Sequence, residues 1–257
     1  MRRVPRVTAR RRVHHCHADF DGVSHSSAMR IGLFGGTFNP IHRCHLEAAL
    51  HAKRKLRLER IVFIPSGDPP HKGNDSLAPA QDRYEMVRLA TAEHAGLDVS
   101  DIEIRRPDKS YSIDTLQQIR NDLGPEAELF FIIGLDAFLD LPTWKQAAEM
   151  LRSCHFVVLS RPGAAFISLR KMSLLPPMER APLLALDTQR AFQVDVSLPA
   201  GTRLILLAIP PCHGSASDIR HRIRHGLDLV NLLPASVESY IMQQHLYRQE
   251  EANRTGV

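Results

Sequence analysis

The sequence predicts an α/β fold, a doubly wound parallel sheet covered by helices on both faces. Two observations carry that expectation. From Met29 onward, short and nearly continuous apolar runs alternate with longer stretches of helical pattern, as strands buried on both faces require. The first apolar run also ends in a glycine pair followed directly by a helical stretch, a common opening for this architecture. In order, the expected strands are 31–34 (IGLF), 61–65 (IVFIP), 102–104 (IEI), 129–133 (LFFII), 156–159 (FVVL) and 204–209 (LILLAI). The expected helices are 45–58 (HLEAALHAKRKLRL), 81–95 (QDRYEMVRLATAEHA), 113–123 (IDTLQQIRNDL), 145–152 (KQAAEMLR), 218–225 (DIRHRIRH) and 235–248 (ASVESYIMQQHLYR). The stretch 162–200, broken by Pro176, Pro177 and Pro182, has no readable period. In such sheets ligands bind at the carboxyl ends of the strands, where strand order reverses.

Composition sets the outer limits. With 257 residues, 44% apolar and 24% charged, the chain is long enough to bury a core. Its longest apolar run, 204–209, is strand-sized and far short of a membrane span. The net charge of +5 comes mostly from residues 1–28, where six arginines face only Asp19 and Asp21. The remainder is close to neutral, so the charge is no argument for a nucleic-acid partner. Residues 1–28 lack helical or strand period and are expected to be a disordered basic extension. They fit an upstream addition, since "MRIGLFGG" from Met29 begins on the first strand; a targeting segment or a metal site at "HHCH" (14–17) are the alternatives. Residues 29–257 are expected to form one domain, with a helical C-terminal part at about 214–250. The four cysteines, at 16, 44, 154 and 212, show no paired spacing. That pattern suits a reducing compartment better than a disulfide framework.

"GLFGGTFNPIHRCHLEAAL" (32–50) holds the chemistry. Gly35 and Gly36 are expected to end the first strand and turn the chain with no Cβ in the way. Backbone N–H groups there, followed by a helix N-terminus, attract phosphate. His42 and His45 stand at i and i+3, on one face of the first helical turn, and Thr37 lies just before them. Together they point to a nucleotide-phosphate site rather than a simple strand–helix turn.

"GGTFNPIHRCH" resembles the signature of the nucleotidylyltransferase superfamily, whose H-x-G-H pattern implies a Rossmann-like sheet. Six further blocks, "IPSGDPPHK" (64–72), "RYEMVRLA" (83–90), "DIEIRRPDKSYSIDTL" (101–116), "FIIGLDAFLDLPTWK" (131–145), "SRPG" (160–163) and "SDIR" (217–220), resemble bacterial nicotinate-nucleotide adenylyltransferases in the same order. The resemblance implies transfer of AMP from ATP to nicotinate mononucleotide, giving deamido-NAD and pyrophosphate, with Mg²⁺ accompanying ATP and no metal ligands of the protein's own. It implies cytoplasmic NAD biosynthesis without nucleic acid or membrane, and leaves homo-oligomerisation open. By the same resemblance, His42, His45 and Arg220 are catalytic, with His45 nearest the reacting α-phosphate. Gly35, Gly36, Thr37, Phe38, Gly134, Asp136, Arg161, Ser215 and Ser217 join them around ATP. Asp136 is expected near the ribose, Arg161 near adenine, and Ser217 as the cap of the late helix. Lys72, Tyr111, Ser112, Thr115 and Trp144 are expected at the mononucleotide. There Trp144 would stack on nicotinate, while Tyr111 and Thr115 would turn backbone amides toward its carboxylate.

The chain departs from the family pattern at three positions: Cys44 where the pattern has glycine, Ala216 where it has serine, and Gly214 where it has an apolar residue. A cysteine at 44 would crowd ATP or be turned aside. Altered ATP affinity is expected, with a nucleotide-binding regulator of little turnover as the alternative from another class. "RKMSLL" (170–175) superficially resembles a synthetase loop but lacks its second lysine and is expected to be a loop or helix end. A nicotinamide mononucleotide or phosphopantetheine adenylyltransferase, or a related cytidylyltransferase, is the nearest rival; the phosphopantetheine type would not need "PTWK" or "SYSIDTL".

Overall fold

The computed structural model describes residues 29–69 and 77–248. The basic extension 1–28, Lys72 and the end of the chain lie outside the described residues. The strands are β1 Arg30–Gly36, β2 Arg60–Pro65, β3 Leu97–Val99, β4 Glu128–Gly134, β5 His155–Leu159, β6 Gln193–Ser197 and β7 Arg203–Leu207. They form one seven-stranded sheet in the order β3-β2-β1-β4-β5-β7-β6, parallel throughout except for β6 against β7. The helices are α1 Arg43–Leu56, α2 Ala80–Thr91, α3 Ser112–Leu123, α4 Leu135–Leu139, α5 Ala147–Ser153, α6 Arg180–Asp187, α7 Ala216–Arg224 and α8 Ala235–Gln243.

Alternation along the strands builds two cores. Ile31, Leu33, Phe131, Phe156 and Leu204 pack on one face of the sheet with Leu116 of α3 and Met150 of α5. Phe34, Ile61, Phe63, Phe130, Ile132 and Ile205 pack on the other with α1, α2, α7 and α8. Strand order reverses between β1 and β4, which are hydrogen-bonded neighbours, so the crevice beyond their carboxyl ends is the natural ligand position.

Three expectations about local structure need correction. Residues 102–104 form a turn, closed by the Arg105 N–H donating to the Asp101 carbonyl at 2.9 Å; the edge strand is Leu97–Val99 instead. The run IEI places a buried Glu103 in that turn rather than a strand side chain. Gly35 and Gly36 do end β1, still paired with Ile64 and Pro65, but they do not make the turn. The turn falls later, at Phe38, whose φ of 47° is left-handed. Within 162–200, helix α6 and the exposed antiparallel strand β6 were unreadable, since β6 buries none of its residues and so has no apolar run.

Candidate active site

A cavity of about 820 Å³ opens at the β1–β4 switch point. At one end it is lined by Gly35, Gly36, Thr37 and Phe38 from the end of β1 and the following loop, by His42 and His45 from the start of α1, and by Ser215, Ser217 and Arg220 from α7. Gly134, Asp136 and Arg161 line its middle, and Tyr111, Ser112 and Trp144 its other end. A second cavity of about 540 Å³ shares Phe34, His45, Gly134, Asp136, Arg161 and Ser215 with it, so the two are confluent.

His42 is the N-cap of α1 and His45 its third residue. The His42 backbone N–H donates to His45 Nδ1 at 3.3 Å. Accepting this bond at Nδ1 means that a neutral His45 carries its proton on Nε2. The two rings lie 3.8 Å apart between centroids. Burial, aided by the positive charge of Arg161, lowers the His42 pKa to about 4, so this imidazole is neutral at pH 7. Its Nδ1 is buried with no hydrogen-bond partner among the described residues, as is Nε of Arg220. Such atoms are costly in a folded protein unless a ligand or water completes them. The first turn of α1 carries no acidic residue, leaving its amide dipole open to an anion.

α7 approaches from the opposite wall. Its N-cap is Ser215, whose Oγ accepts from the Asp218 N–H at 3.1 Å. Ser217 was expected to cap the helix; instead it lies inside the first turn, with its hydroxyl 2.9 Å from that of Ser215. Arg220 Nη1 donates to the Asn39 carbonyl at 2.7 Å, fixing the guanidinium against the β1–α1 loop. At mid-cavity, a Cβ on Gly134 would lie 2.6 Å from Asp136 Oδ1 and 2.9 Å from Arg161 Nε, so glycine lets both side chains lie close against the end of β4.

The far end is a finished network. Tyr111 is the N-cap of α3, and Lys145 Nζ sits 4.8 Å over its ring while bonding Asp114 at 2.9 Å. Trp144 follows a single 3₁₀ turn (Leu141–Thr143) and meets Phe131 edge-on at 6.3 Å. Thr115 does not line the cavity. Its N–H bonds the Tyr111 carbonyl within the helix at 3.3 Å, so that amide is not available to a carboxylate, contrary to expectation. The amides without an acceptor inside α3 belong to its first turn, Ser112 and Ile113. The buried Thr115 hydroxyl instead donates to Glu103 at 2.8 Å and accepts from Arg106 at 3.1 Å. Burial pushes the Glu103 carboxyl pKa up, opposed by these bonds.

Sequence reasoning assigned no role to Glu103, Ser110 or Arg83. Ser110 Oγ accepts from the N–H groups of Gly67 and Asp68 at 3.0 and 3.3 Å. Arg83, fully buried, donates to the carbonyls of Thr37, Gly67 and Ala78 at 2.8, 3.0 and 3.0 Å. It joins the phosphate-side loop to the loop after β2. An arginine inside an otherwise amphipathic helix, four residues after the proline N-cap Pro79, was the one sequence signal available.

The largest departure concerns the cysteines. Cys44 and Cys212 form a disulfide across 168 residues, with Cα atoms 5.6 Å apart. The expectation of unpaired cysteines fails because pairing followed three-dimensional proximity, which sequence spacing does not carry. Cys44 is thus turned toward the segment leading into α7. Gly214, in that segment, has φ 131°, a region that disfavours the apolar side chain of the family pattern.

Comparison with known proteins follows this geometry. The cytidylyltransferase-like family model matches residues 33–222. A probable nicotinate-nucleotide adenylyltransferase of Pelobacter propionicus is 42% identical over 221 residues, covering 86% of this chain and 99% of the relative. One from Geobacter metallireducens is 40% identical over 222 residues, covering 86% and 100%. The chain belongs to the nicotinate-nucleotide adenylyltransferase family. The fold is also that of the Plasmodium falciparum nicotinic acid mononucleotide adenylyltransferase solved with NaAD, at TM-score 0.63 and 17% identity over 85% of this chain and 97% of that one. A second structure of that protein, with APC, gives TM-score 0.61 over the same coverage. No helix among the described residues of this family member is long and apolar enough to cross a membrane.

Proposed function

We propose that the protein transfers the adenylyl group of ATP to nicotinate mononucleotide, forming deamido-NAD and pyrophosphate. The observation that carries this is the cavity itself. Two helix N-termini with His42, His45, Ser215, Ser217 and Arg220 face one end, and an aromatic wall of Tyr111 and Trp144 faces the other. A mononucleotide phosphate oxygen attacks the α-phosphorus of ATP. The bond to the bridging oxygen breaks, and pyrophosphate leaves with the electron pair. The nucleophile is already largely ionised at neutral pH, its second pKa being about 6, so the protein need not remove a proton. Its task is alignment and charge stabilisation.

Each wall contributes a part. The His45 Nε2–H donates toward the reacting phosphate, and the neutral His42 supports it through the shared first turn of α1. The α7 N-terminus, Ser215, Ser217 and Arg220 hold the outer phosphates, which become the leaving group. Asp136 and Arg161 take the ribose and adenine side. Trp144 offers a face for the nicotinate ring, the α3 N-terminus with Tyr111 and Ser112 receives its carboxylate, and Lys72 is proposed as a further contact to the mononucleotide. Mg²⁺ would neutralise phosphate charge when bound. The donors at the phosphate end are imidazole, guanidinium and hydroxyl, which suit phosphate, so the ion would take phosphate and water oxygens with Asp136 as the adjacent carboxylate. A cytoplasmic location belongs to the same proposal, since both substrates are available there.

The test is pyrophosphate release with ATP, Mg²⁺ and either nicotinate or nicotinamide mononucleotide. Faster turnover with the acid is expected. Preference for the amide would overturn the substrate assignment, and ATP binding without release on either would favour a regulator.

A further inference from the structure

We propose that Cys44 and Cys212 are a reversible dithiol–disulfide pair whose bond holds the two phosphate-binding segments together and thereby sets the affinity for ATP. This rests on the ATP-binding part of the function above. Cys44 is the second residue of α1, between His42 and His45. Cys212 lies three residues before Ser215, the cap of α7. Both line the cavity that also holds His45, Asp136, Arg161 and Ser215. The bond is therefore a covalent strap from one phosphate-binding helix start to the other, at a Cα separation of 5.6 Å that ordinary disulfides share.

The strapped protein is the assembled one. With the bond in place, the α1 and α7 groups already face a common cavity, and Arg220 already bonds the β1–α1 loop. Without it, residues 208–215 join β7 to α7 as a segment with no helix or strand of its own. ATP would then have to order that segment on binding, which weakens affinity.

The chemistry needs a dithiol reductant or a disulfide oxidant, both general classes of cellular thiol. A reductant thiolate attacks Sγ of Cys212, which is half-buried while Cys44 is buried. The protein S–S bond breaks, Cys44 leaves as a thiolate at a helix N-terminus, and a mixed disulfide forms on Cys212. The reductant's second thiolate then attacks its own sulfur in that mixed disulfide and releases Cys212. Two electrons have passed to the protein, both cysteines take up protons, and the reductant leaves as a disulfide. Oxidation by a small disulfide reverses these steps. In a reducing cytoplasm such a bond is expected to be switchable rather than structural. Cys154 takes no part: it is buried, and burial pushes its pKa up to about 12.

The test uses the full chain carrying Cys16→Ser, so that the remaining thiols are Cys44, Cys154 and Cys212. After treatment with oxidised glutathione and denaturation, maleimide labelling read by intact mass should give one adduct, and three after dithiothreitol. Titration with an ATP analogue bearing a methylene bridge between its α- and β-phosphates should show affinity falling about three- to tenfold on reduction, the scale of ordering a short segment. The KM for nicotinate mononucleotide should stay unchanged. Cys212→Ser and Cys44→Gly should both show the reduced value and no response to dithiothreitol. Three adducts after oxidation, unchanged or tighter binding on reduction, or a Cys44→Gly variant that binds more tightly than the oxidised protein would each overturn the strap. If redox-dependent binding appears without pyrophosphate release on nicotinate mononucleotide, the strap stands and the substrate assignment fails.

Discussion

At one end of the cavity, His42 Nδ1 and Arg220 Nε are buried with no protein partner among the described residues. At the other, Glu103, Thr115, Arg106, Ser110 and the amides of Gly67 and Asp68 bond one another. The contrast separates two ways of building a binding wall. Unsatisfied donors and an open helix dipole are stabilised only when an anion arrives, so the phosphate end trades stability for affinity. The saturated end holds its shape in advance and presents aromatic faces and helix amides in fixed positions. Arg83 connects them, bonding Thr37 on one side and Gly67 on the other.

Perturbing the connection should have the largest effect. Arg83→Met removes the donor from three carbonyls and should destabilise the fold by about 3 kcal/mol or more, read by urea denaturation. A loss below about 1 kcal/mol would mean that water replaces the guanidinium at little cost. Next, His45→Ala and Arg220→Ala should each lower kcat by about 10²–10³-fold, the usual effect of deleting a donor to transition-state charge. The unfolding midpoint should move little, because the open end contributes little to stability. Equal losses in both would erase the distinction between the two ends.

At the saturated end the order reverses. Thr115→Val removes the donor to the buried Glu103 carboxyl and should cost about 1–3 kcal/mol of stability. It should raise the KM for nicotinate mononucleotide while leaving that for ATP unchanged, and an ATP effect would show that the ends are coupled. The last effect appears only when the pH is lowered. The pKa of His42 falls from the ordinary 6.5 to about 4 in the folded protein, so between these values the unfolded chain binds the extra proton. Its contribution is complete above pH about 6.5 and is lost as pH falls toward 4, a few kcal/mol in all, roughly 1.4 per unit. His42→Gln should flatten that part of the stability–pH profile, and an unchanged profile would place the acid sensitivity elsewhere.

Legibility in the sequence followed the range of the interactions. The order of β1, β2, β4, β5 and β7 could be read because each is a run of apolar residues whose neighbours in sequence share its environment. Strand β6 and the turn at 102–104 could not, since an exposed edge strand and a buried turn carboxylate break the rule that apolar means strand. At the site, His42 and His45 were visible as a local i, i+3 pair, and Tyr111 and Trp144 through short blocks. The hydroxyl role of Thr115, the capping by Ser215 and the carbonyls gathered by Arg83 depend on which backbone groups lie nearby, and residue types do not record that.

Residue order alone thus determined a parallel α/β sheet, a phosphate-seeking strand–helix junction and the family to which the chain belongs, because periodicity and short motifs act over a few residues. Only the folded structure decided that His42 is neutral, that Arg83 bridges two loops and that Cys44 meets Cys212. Burial and proximity between positions as far apart as 168 residues are properties of the packed chain, set when the sheet brings α1 and α7 together.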